Sequence, residues 1–558
     1  MKSLLASLVA LLTLAAHGEP VRVFGAPSLT PKATAYTTWR NANAVEIREV
    51  RLEAPLKHLS AEDVVRGEKA LPIGTRREVP RARGRLSLNW QAAPGGGVSA
   101  RVRVHSTGAV GMRVALRFEP NRGPREVRVA STKDASRIYL SGDSQWGDAQ
   151  ARDGLWWTPL TDGDAQDLEF WDDSGPASGA TVEIVAVSHL DASPATGFKA
   201  GGIGAAQGCH EDVVCVAAIN PGVAQAARSV MKIAYVRNGM SYVCSGTLLN
   251  DGASRQVPYV YTAAHCIDSQ AVAATVNTFW YFEAAQCGTG NPSAYQQLAG
   301  GATLLYVDAA TDVALLRLSD RAPQGAWFSG WDATAATPGS SVIGLHHPMG
   351  DLKKLAIGDV VDDPDPRAIV TGWRVGSTEP GSSGSGLFTA SGGEYLLRGG
   401  LKGGSASCTT SGNLADPSNR DEYSRIDLAL PALLPWLGGQ VAPVEDFAGL
   451  WYDPGEPGWG LGIAQSAQGK AFVTWYTYDA DGLPRWFFAP EVRWTSTVAL
   501  AATLYRTSGS AYQGVYDPSR FASQAVGSIE LSFGQGTATA RISVEGRVIE
   551  KPLVRMQL

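Results

Sequence analysis

The sequence predicts an all-β protein built from several domains, and three observations support this. The chain has 558 residues, too many for one hydrophobic core, so we expect about two to four domains. It contains 63 glycines and 31 prolines, which suits many short strands joined by turns. Its apolar runs alternate with polar residues, as in strands with one buried face. The net charge of −5 gives no reason to expect a nucleic-acid or membrane-surface partner.

Residues 1–18 are predicted to be a signal peptide. Lys2 provides a positive start, Leu4–Ala16 is an apolar run, and small residues flank His17 at a cleavage site. The run is too short to span a bilayer. A buried N-terminal helix is the alternative. We therefore expect export to an oxidising compartment, extracellular or periplasmic.

Residues 19–199 are predicted to form a β-sandwich. Apolar and polar residues alternate in Val98–Val104 and again in Met112–Phe118, which indicates half-buried strands. The segment Asp191–Ala206 is rich in small residues with Gly and Pro, and we interpret it as an exposed linker.

Residues 200–440 are marked as a central domain by cysteine usage. All six cysteines fall in this range, and an even number in an exported chain suggests three disulfides among 15 possible pairings. Free buried thiols or a metal site are the alternatives. Because the sequence has no C-x-x-C pair and no nearby Cys/His cluster, we expect neither a metal nor a cofactor.

Residues 446–558 are predicted to be a third, β-rich domain. Turn dipeptides such as Asp453-Pro454 and Asp481-Gly482 separate aromatic runs. The rings either fill a small β core or contact glycans and cell-wall material.

Three segments of the central domain carry the residue types of nucleophilic catalysis. Tyr261–Cys266 contains His265, Thr311–Leu318 contains Asp312, and Pro380–Gly386 contains Ser383. A serine hydroxyl needs a neutral imidazole to take its proton, and the imidazole needs a carboxylate on its other nitrogen. Asp308 is a rival for the carboxylate role, but Asp312 directly precedes an apolar strand and is preferred.

Glycines flank Ser383, so the backbone can turn there. The amides of Gly381 and Ser383 are therefore predicted to form an oxyanion hole, in which each donor is worth about 2.7–4 kcal/mol of the barrier.

The order His, Asp, Ser along the chain is that of chymotrypsin-type enzymes. Thr262–Cys266 resembles the histidine motif of trypsin-like proteases. Thr378–Ser385, His346–Lys354 and Asp421–Arg425 resemble the bacterial lysyl endopeptidase branch. The resemblance covers about residues 200–437 and implies a chymotrypsin-like double β-barrel. It also implies that the disulfides are Cys209–Cys408, Cys215–Cys287 and Cys244–Cys266.

The resemblance also addresses specificity. Trypsin-like enzymes place a pocket carboxylate six residues before the nucleophile, but that position is Ser377 here. In lysyl endopeptidases the carboxylate comes from a later segment, where Asp421 stands. Because an unpaired buried carboxylate is costly, a substrate ammonium can supply the missing charge. The alternatives for Asp421 are a helix cap or a salt bridge to Arg425.

One departure from the branch lies at the pocket rim, in the segment Leu401–Gly404. Lys402 stands where the branch usually has histidine, while Gly403 and Gly404 match a rim that pairs with the substrate backbone. At about 4 Å and an effective dielectric near 20, like charges cost on the order of 4 kcal/mol, so Lys402 could repel a basic side chain. If it points outward, screening removes that cost.

His346 and His347 raise the alternative of a metal site or a second catalytic histidine. Adjacent residues on a strand point to opposite faces, so the pair makes a poor chelate.

The region before the cysteines resembles the propeptide of this branch, which predicts that it assists folding and masks the site. Lys199 in the linker is then a candidate self-processing point.

The sequence therefore predicts a secreted serine endopeptidase, made as a zymogen, that hydrolyses peptide bonds after Lys, with Arg as the alternative, through an acyl-enzyme on Ser383. The other classes left open are an inactive binding relative and a serine esterase. We expect protein or peptide substrates and a monomer.

Overall fold

A computed structural model describes residues 22–30, 36–42, 47–55, 59, 70–118, 123–142, 155–173, 181–192, 206–363, 365–438, 443, 445–466, 470–490, 492–496, 498–511 and 513–556. The predicted signal peptide and Lys199 lie outside these residues. The chain divides into two compact units, of which the first contains Met1–Asn250 and Ser254–Pro431 and the second contains Asp251–Ala253 and Ala432–Leu558. Among the residues described, no helix is both long enough and apolar enough to cross a membrane.

The N-terminal domain contains two sheets that pack face to face, as predicted. In the first sheet the strand order is β10-β9-β13-β7-β3 with β6 beside β7, and in the second β8 and β14 lead to β4. The bounds are β1 Arg22–Val23, β2 Ala26–Pro27, β3 Ile47–Leu52, β4 Leu71–Glu78, helix α1 Arg81–Gly84, β5 Arg85–Ser87, β6 Gln91–Ala92, β7 Val98–Ser106, β8 Gly111–Phe118, β9 Glu126–Ser131, β10 Tyr139–Gly142, β11 Trp156–Trp157, β12 Thr161–Asp162, β13 Ala165–Asp172 and β14 Thr181–Leu190.

The core of this sandwich follows from the alternation in the sequence. Val102 and Val104 on β7 are buried with Val114 and Leu116 on β8 in one cluster. That cluster also takes in residues of the central domain, among them Val243. The two domains therefore share part of one core, which the sequence did not indicate.

The central domain contains the strands and helices that follow β14. Their bounds are β15 Glu211–Asp212, α2 Val213–Ala217, α3 Pro221–Ala227, β16 Val230–Arg237, β17 Met240–Leu249, β18 Tyr259–Thr262, α4 Gln270–Ala273, β19 Asn277–Trp280, β20 Gln296–Leu298, β21 Ala302–Asp308, β22 Val313–Leu318, β23 Trp327–Phe328, β24 Trp331–Asp332, β25 Ser341–His346, β26 Lys354–Val360, β27 Ile369–Val375, β28 Gly386–Ser391, β29 Glu394–Gly404, β30 Asp421–Tyr423 and α5 Ile426–Leu437.

These strands form the two barrels of the chymotrypsin-like fold that the sequence predicts. The first half contains β16 to β22, whose strands pair in the order β20-β19-β16-β17-β18-β22-β21. In the second half the ring β25-β26-β27-β30-β29-β28 closes on itself through pairing of β28 with β25.

Strands of the N-terminal domain extend the sheets of the central domain. β4 pairs antiparallel with β17, so that one sheet runs through both domains. β1 pairs with β24, and Arg22 forms an ion pair with Asp332 at their junction.

The C-terminal domain is an antiparallel β barrel. Its strands follow one another around a sheet that closes where β34 pairs with β36. Their bounds are β31 Gly449–Tyr452, β32 Gly460–Gln465, β33 Ala471–Tyr478, β34 Pro484–Ala489, β35 Val492–Ser496, β36 Ala499–Ser508, β37 Ala522–Phe533, β38 Thr537–Val544 and β39 Arg547–Arg555.

The aromatic residues of this barrel divide between its two faces. Trp475 and Phe487 are buried in the core, whereas Tyr476, Tyr478 and Trp486 are about half exposed. The buried rings fill a β core, and the exposed ones lie on the other face because successive strand residues point to opposite faces; contact with glycans or cell-wall material stays a prediction.

Candidate active site

His265 and Asp312 are brought together by two neighbouring strands of the first barrel. His265 follows β18 and Asp312 directly precedes β22, and these strands pair so that Thr262 lies opposite Ala314. Oδ2 of Asp312 lies 2.8 Å from Nδ1 of His265, and its Oδ1 accepts the His265 backbone N–H at 2.9 Å. The carboxylate therefore fixes both the ring and the backbone of the histidine.

Asp308, the alternative carboxylate, forms hydrogen bonds within its own turn. Its side chain accepts hydrogen bonds from the Ala310 amide at 2.9 Å and from the Thr311 hydroxyl at 2.6 Å. The geometry therefore joins Asp312, and not Asp308, to His265.

The other ring nitrogen of His265 is positioned for proton transfer. With Nδ1 donating to the carboxylate, Nε2 carries the lone pair of the neutral ring. Nε2 is buried and has no hydrogen-bond partner among the described residues. A general base must lie within hydrogen-bond reach of the proton that it takes, and the lone pair of Nε2 is free to accept one.

Ser383 lies in the turn before β28 and packs on the strand that leads to His265. Its carbonyl oxygen accepts a hydrogen bond from the Ser245 amide at 2.8 Å. Gly384 has φ +76°, and a Cβ there would lie 2.2 Å from Thr262 Oγ1 and 2.8 Å from the Ala263 amide nitrogen. Only glycine allows the turn to approach the histidine strand this closely.

Side chains outside the turn fix its backbone around Gly381. The Ser245 hydroxyl donates to the Gly381 carbonyl at 3.0 Å and accepts from the His347 amide at 3.1 Å. Gly381 itself has φ +93°. The peptide groups that the sequence assigns to an oxyanion hole therefore sit in a rigid, side-chain-supported turn.

His346 and His347 are both completely buried. Nδ1 of His346 lies 2.8 Å from Ser382 Oγ, and Nδ1 of His347 lies 2.9 Å from the Asp351 carbonyl oxygen. Burial holds the pKa of each ring well below its usual value, so both are neutral. The His346 ring therefore contacts the turn that carries Ser383, whereas the His347 ring holds the Asp351 backbone.

Asp421 lies on β30 with only 1% of its surface exposed. Its Oδ2 accepts from Trp373 Nε1 at 2.7 Å and from Thr378 Oγ1 at 2.8 Å, while Oδ1 is buried without a hydrogen-bond partner. Burial raises the pKa of the Asp421 carboxyl to about 6. Within the described residues, no lysine or arginine forms an ion pair with it.

Neither structural alternative for Asp421 holds. The residue lies in a strand, not at the start of a helix. Arg425 pairs instead with Asp427, with Nη2 and Oδ2 2.5 Å apart. Asp421 is therefore a buried carboxylate without a cation, which is a costly arrangement unless a ligand completes it.

Lys402 is paired with an acidic neighbour. Its Nζ lies 3.2 Å from Glu422 Oε2, and Glu422 follows Asp421 on β30, so the two carboxylates point to opposite faces of the strand. Gly403 and Gly404 pair with Glu422 and Asp421 across the β29–β30 ladder. Glu422 therefore offsets the charge of Lys402 on the face of β30 opposite to the Asp421 carboxylate.

The backbone at Gly404 packs closely against the buried carboxylate, where a side chain would clash. A Cβ there would lie 2.3 Å from Asp421 Oδ1. Ser377, at the position of the trypsin carboxylate, is completely buried, and its hydroxyl has no hydrogen-bond partner in the described part of the chain.

The structure contains the three disulfides that the resemblance implies: Cys209–Cys408, Cys215–Cys287 and Cys244–Cys266. The third places a covalent link directly beside His265 and ties its loop to β17.

Several residues at this site were not found from the sequence. Trp373 and Thr378 hold Asp421, Glu422 holds Lys402, and Ser245 supports the serine turn. Trp373, Glu422 and Ser245 lie on three different strands and Thr378 lies in the loop after β27, and no local pattern of residues marks them. Only the register of β27 against β30, set by tertiary packing, brings Trp373 to Asp421.

Comparisons with known proteins identify the proteins that this chain resembles. Residues 47–191 match the family described as lysyl endopeptidase N-terminal domain, and residues 203–424 match the lysyl endopeptidase C-terminal domain. The chain is 32% identical over 424 residues to a lysyl endopeptidase from Pseudomonas aeruginosa, covering 71% of this chain and 88% of that protein. A crystal structure of Rv3671c from M. tuberculosis H37Rv, in an inactive serine-to-alanine form, covers 39% of this chain and 91% of its own at 20% identity, with a TM-score of 0.25.

Proposed function

The chain belongs to the lysyl endopeptidase family and is a serine endopeptidase, and on that premise we propose that it cleaves peptide bonds after lysine. The observation that carries the proposal is Asp421, a buried carboxylate without a cation among the described residues. A lysine side chain entering beside Gly404 brings the ammonium that this carboxylate lacks.

The catalytic steps follow from the His265–Asp312 pair. Nε2 of His265 takes the proton of the Ser383 hydroxyl as its oxygen attacks the scissile carbonyl carbon. Asp312, bonded to Nδ1 at 2.8 Å, stabilises the imidazolium that forms. The histidine then protonates the leaving amine, and water hydrolyses the acyl-enzyme by the same path in reverse.

The amides of Gly381 and Ser383 are the proposed donors to the tetrahedral oxyanion. The carbonyl of each donor's own peptide plane is hydrogen-bonded: Pro380 O accepts from the Met349 amide at 2.7 Å, and Ser382 O accepts from the Ser385 amide at 3.0 Å, which supports the direction of both donors. Donors fixed before the reaction need no reorganisation as charge develops.

Lysine is favoured over other residues by the charge balance at the pocket. The cation of Lys402 is neutralised by Glu422, so the net charge available to the substrate is the Asp421 carboxylate. Removing that carboxylate would leave the substrate ammonium buried and unpaired, which costs several kcal/mol of binding.

The test compares hydrolysis of peptide amides ending in Lys, Arg, Leu and Glu by the wild-type protein, Ser383→Ala, Asp421→Asn and the control Asp363→Asn on the surface of the same domain. We expect Ser383→Ala to be inactive and Asp421→Asn to lose Lys preference by on the order of 100-fold or more. Activity retained in Ser383→Ala overturns the mechanism. Unchanged Lys preference in Asp421→Asn overturns the pocket alone.

The pH dependence provides a second readout. With its pKa raised to about 6, Asp421 is protonated in the free enzyme at lower pH and cannot pair with the substrate ammonium. The kcat/KM ratio of Lys to Leu substrates should therefore fall by up to about tenfold per pH unit below pH 6, and this ratio cancels any pH dependence that the two substrates share. Asp421→Asn should flatten that profile.

We also propose export through the signal peptide of residues 1–18, removal of the N-terminal domain at Lys199, and a monomeric product.

The exposed rings of Tyr476, Tyr478 and Trp486 support a further role for the C-terminal domain in contacting glycans or cell-wall material, since flat rings stack on sugars. Sedimentation of the full chain with insoluble cell-wall polysaccharide, compared with Trp486→Ala, tests that role.

A further inference from the structure

A buried carboxylate at the start of the serine turn is held by a distant segment of the chain. The side chain of Glu379 is 8% exposed, and its Oε2 lies 3.0 Å from Nε2 of His210, whose side chain is completely buried. The same oxygen accepts the backbone N–H of Gln207 at 3.2 Å. Within the part of the chain that the structure describes, no lysine or arginine forms an ion pair with Glu379, so the His210 imidazole is its ionisable partner.

Strand pairing brings His210 to this place. The residue directly precedes β15, in which Asp212 lies opposite Lys354 of β26, and Lys354 lies in turn opposite His346 of β25. An ion pair of 2.5 Å between Lys354 Nζ and Asp212 Oδ1 fixes the short strand β15. The rings of His210 and His346 therefore meet edge to face, with their centroids 5.5 Å apart.

The second histidine of this pair fixes the other end of the same turn. Nδ1 of His346 lies 2.8 Å from Ser382 Oγ, and that hydroxyl oxygen accepts the backbone N–H of Glu379 at 3.2 Å. The Ser382 amide donates in return to the Glu379 carbonyl at 2.9 Å. The span from Glu379 to Ser382 is therefore closed by its own hydrogen bonds, and two buried imidazoles anchor it to the rest of the domain.

The anchored span contains the peptide groups that we propose as the oxyanion hole. The Gly381 amide belongs to the peptide plane shared with Pro380, and the Ser383 amide to the plane shared with Ser382. Without the imidazole, the buried Glu379 carboxylate would keep only one backbone N–H, and an underpaired buried carboxylate either moves toward water or takes up a proton. Because peptide planes are rigid, a shift of Glu379 passes to both amides.

We propose that His210 is a positioning residue, whose imidazole holds the Glu379 carboxylate and through it the direction of the Gly381 and Ser383 amides. The proposal rests on the oxyanion hole proposed above. Those donors bind the developing oxyanion more strongly than the ground-state carbonyl, so a loss of their alignment lowers kcat and leaves KM nearly unchanged. The pairing is present in the intact chain, so it does not depend on a new chain terminus.

The experiment measures kcat and KM on a lysyl peptide amide for the secreted full-length gene product and its variants, per active site counted by end-point labelling with a fluorophosphonate. His210→Ala should lower kcat by on the order of 10- to 100-fold with KM within about twofold, since loss of a whole donor costs about 100- to 1,000-fold. His210→Gln, whose amide can still reach the carboxylate, should recover most of that loss. Glu211→Gln, at the next residue, is the matched control and should behave as wild type.

A double-variant cycle tests whether His210 acts through Glu379. His210→Ala and Glu379→Ala together should lose no more than about twofold in kcat beyond the more impaired single variant, because both remove the same contact. Losses that multiply overturn the proposed route. The inhibition constant of a lysyl peptide aldehyde, whose adduct with Ser383 places an oxyanion in the same hole, should rise in proportion to the loss of kcat/KM. An unchanged inhibition constant in His210→Ala also overturns the inference.

The remaining outcomes separate this inference from the proposed function. A wild-type kcat in His210→Ala, or a change confined to KM, overturns the inference while the proposed function stands. If His210→Ala is not secreted, Glu379→Gln keeps the shape of that side chain without its charge and should lower kcat by about three- to tenfold; a wild-type kcat there overturns the inference. Hydrolysis of no lysyl amide by the wild-type protein, or equal hydrolysis by Ser383→Ala, overturns the proposed function and this inference with it.

Discussion

The domains on either side of the central domain are both all-β, but they differ in whether the sheet leaves an edge strand that pairs outside its own domain. The sheet of the C-terminal domain closes through β34 and β36, and its core contains only residues of that domain. The sandwich of the N-terminal domain leaves β4 at an edge, and that edge pairs with β17. A closed sheet has no unpaired edge to offer, whereas an open one recruits a partner. The open domain is therefore the one whose sheet continues into the central domain.

Polar contacts reinforce the same difference. Arg113 of the N-terminal domain is buried and donates to the Thr275 carbonyl at 2.7 Å and to the Thr158 carbonyl at 2.8 Å. Leu160 donates its backbone N–H to Asn277 Oδ1 at 3.0 Å. Buried polar groups that depend on a partner surface make the contact specific as well as stable.

The largest expected effect comes from deleting each domain in turn. Expression without residues 19–199 should remove essentially all active enzyme, because it exposes core residues that cost about 1.5–3 kcal/mol each. Expression without residues 446–558 should leave peptide hydrolysis within about twofold, because the two cores are separate. Activity per amount of secreted protein on a lysyl amide is the measurement. Equal loss in both deletions would contradict the comparison.

The next largest effect is expected from adding a side chain at one closely packed glycine in each domain. A Cβ at Gly74 would lie 2.5 Å from the His189 carbonyl oxygen, and one at Gly527 would lie 1.9 Å from the Ser543 carbonyl oxygen. Gly74→Val and Gly527→Val should each cost about 1–3 kcal/mol of stability. Only Gly74→Val should lower the yield of processed, active enzyme. Gel electrophoresis follows the processing of each variant, and the midpoint of thermal unfolding shows whether the substituted domain has lost stability.

A smaller effect is expected at the buried arginine. Arg113→Met leaves the Thr158 and Thr275 carbonyls without a donor, at about 1–3 kcal/mol for a buried group. Because burial already lowers the pKa of Arg113 to about 9, part of that cost is offset by removing a poorly solvated charge. The control Arg541→Met, at an exposed ion pair with Glu530, should change stability by less than about 0.5 kcal/mol. Urea titration of the Ser383→Ala background, where no processing occurs, gives both values.

The smallest expected effect lies at the exposed rings. Trp486→Ala should leave both lysyl amide hydrolysis and the midpoint of unfolding unchanged within error, since Trp486 is about half exposed on the outer face of β34. Trp475→Ala, on the buried face of the neighbouring strand, should destabilise the barrel by about 3–5 kcal/mol. A loss of hydrolysis in Trp486→Ala would mean that the C-terminal domain contributes to catalysis.

Short motifs in the sequence predicted those features that depend on residues close together in the chain. Alternation predicted the strands of the sandwich, and the resemblance of the segments around His265, Ser383 and Asp421 to known proteases implied the double barrel. The pairing of β4 with β17 was not predictable, because nothing in Leu71–Glu78 distinguishes an edge that pairs within its domain from one that pairs outside. The partners of Asp421 were missed for a related reason: Trp373 and Thr378 reach it through strand register, which the sequence does not state.

The pairing of β1 with β24 constrains how the protein is made. Arg22 meets Asp332, a residue 310 positions later in the chain. During synthesis the first strand therefore waits, unpaired, until more than half of the polypeptide has emerged, and such long-range pairing is slow to form. The first strand can therefore take its final place only after the central domain has been synthesised, so the chain cannot complete its fold in the order in which it is translated.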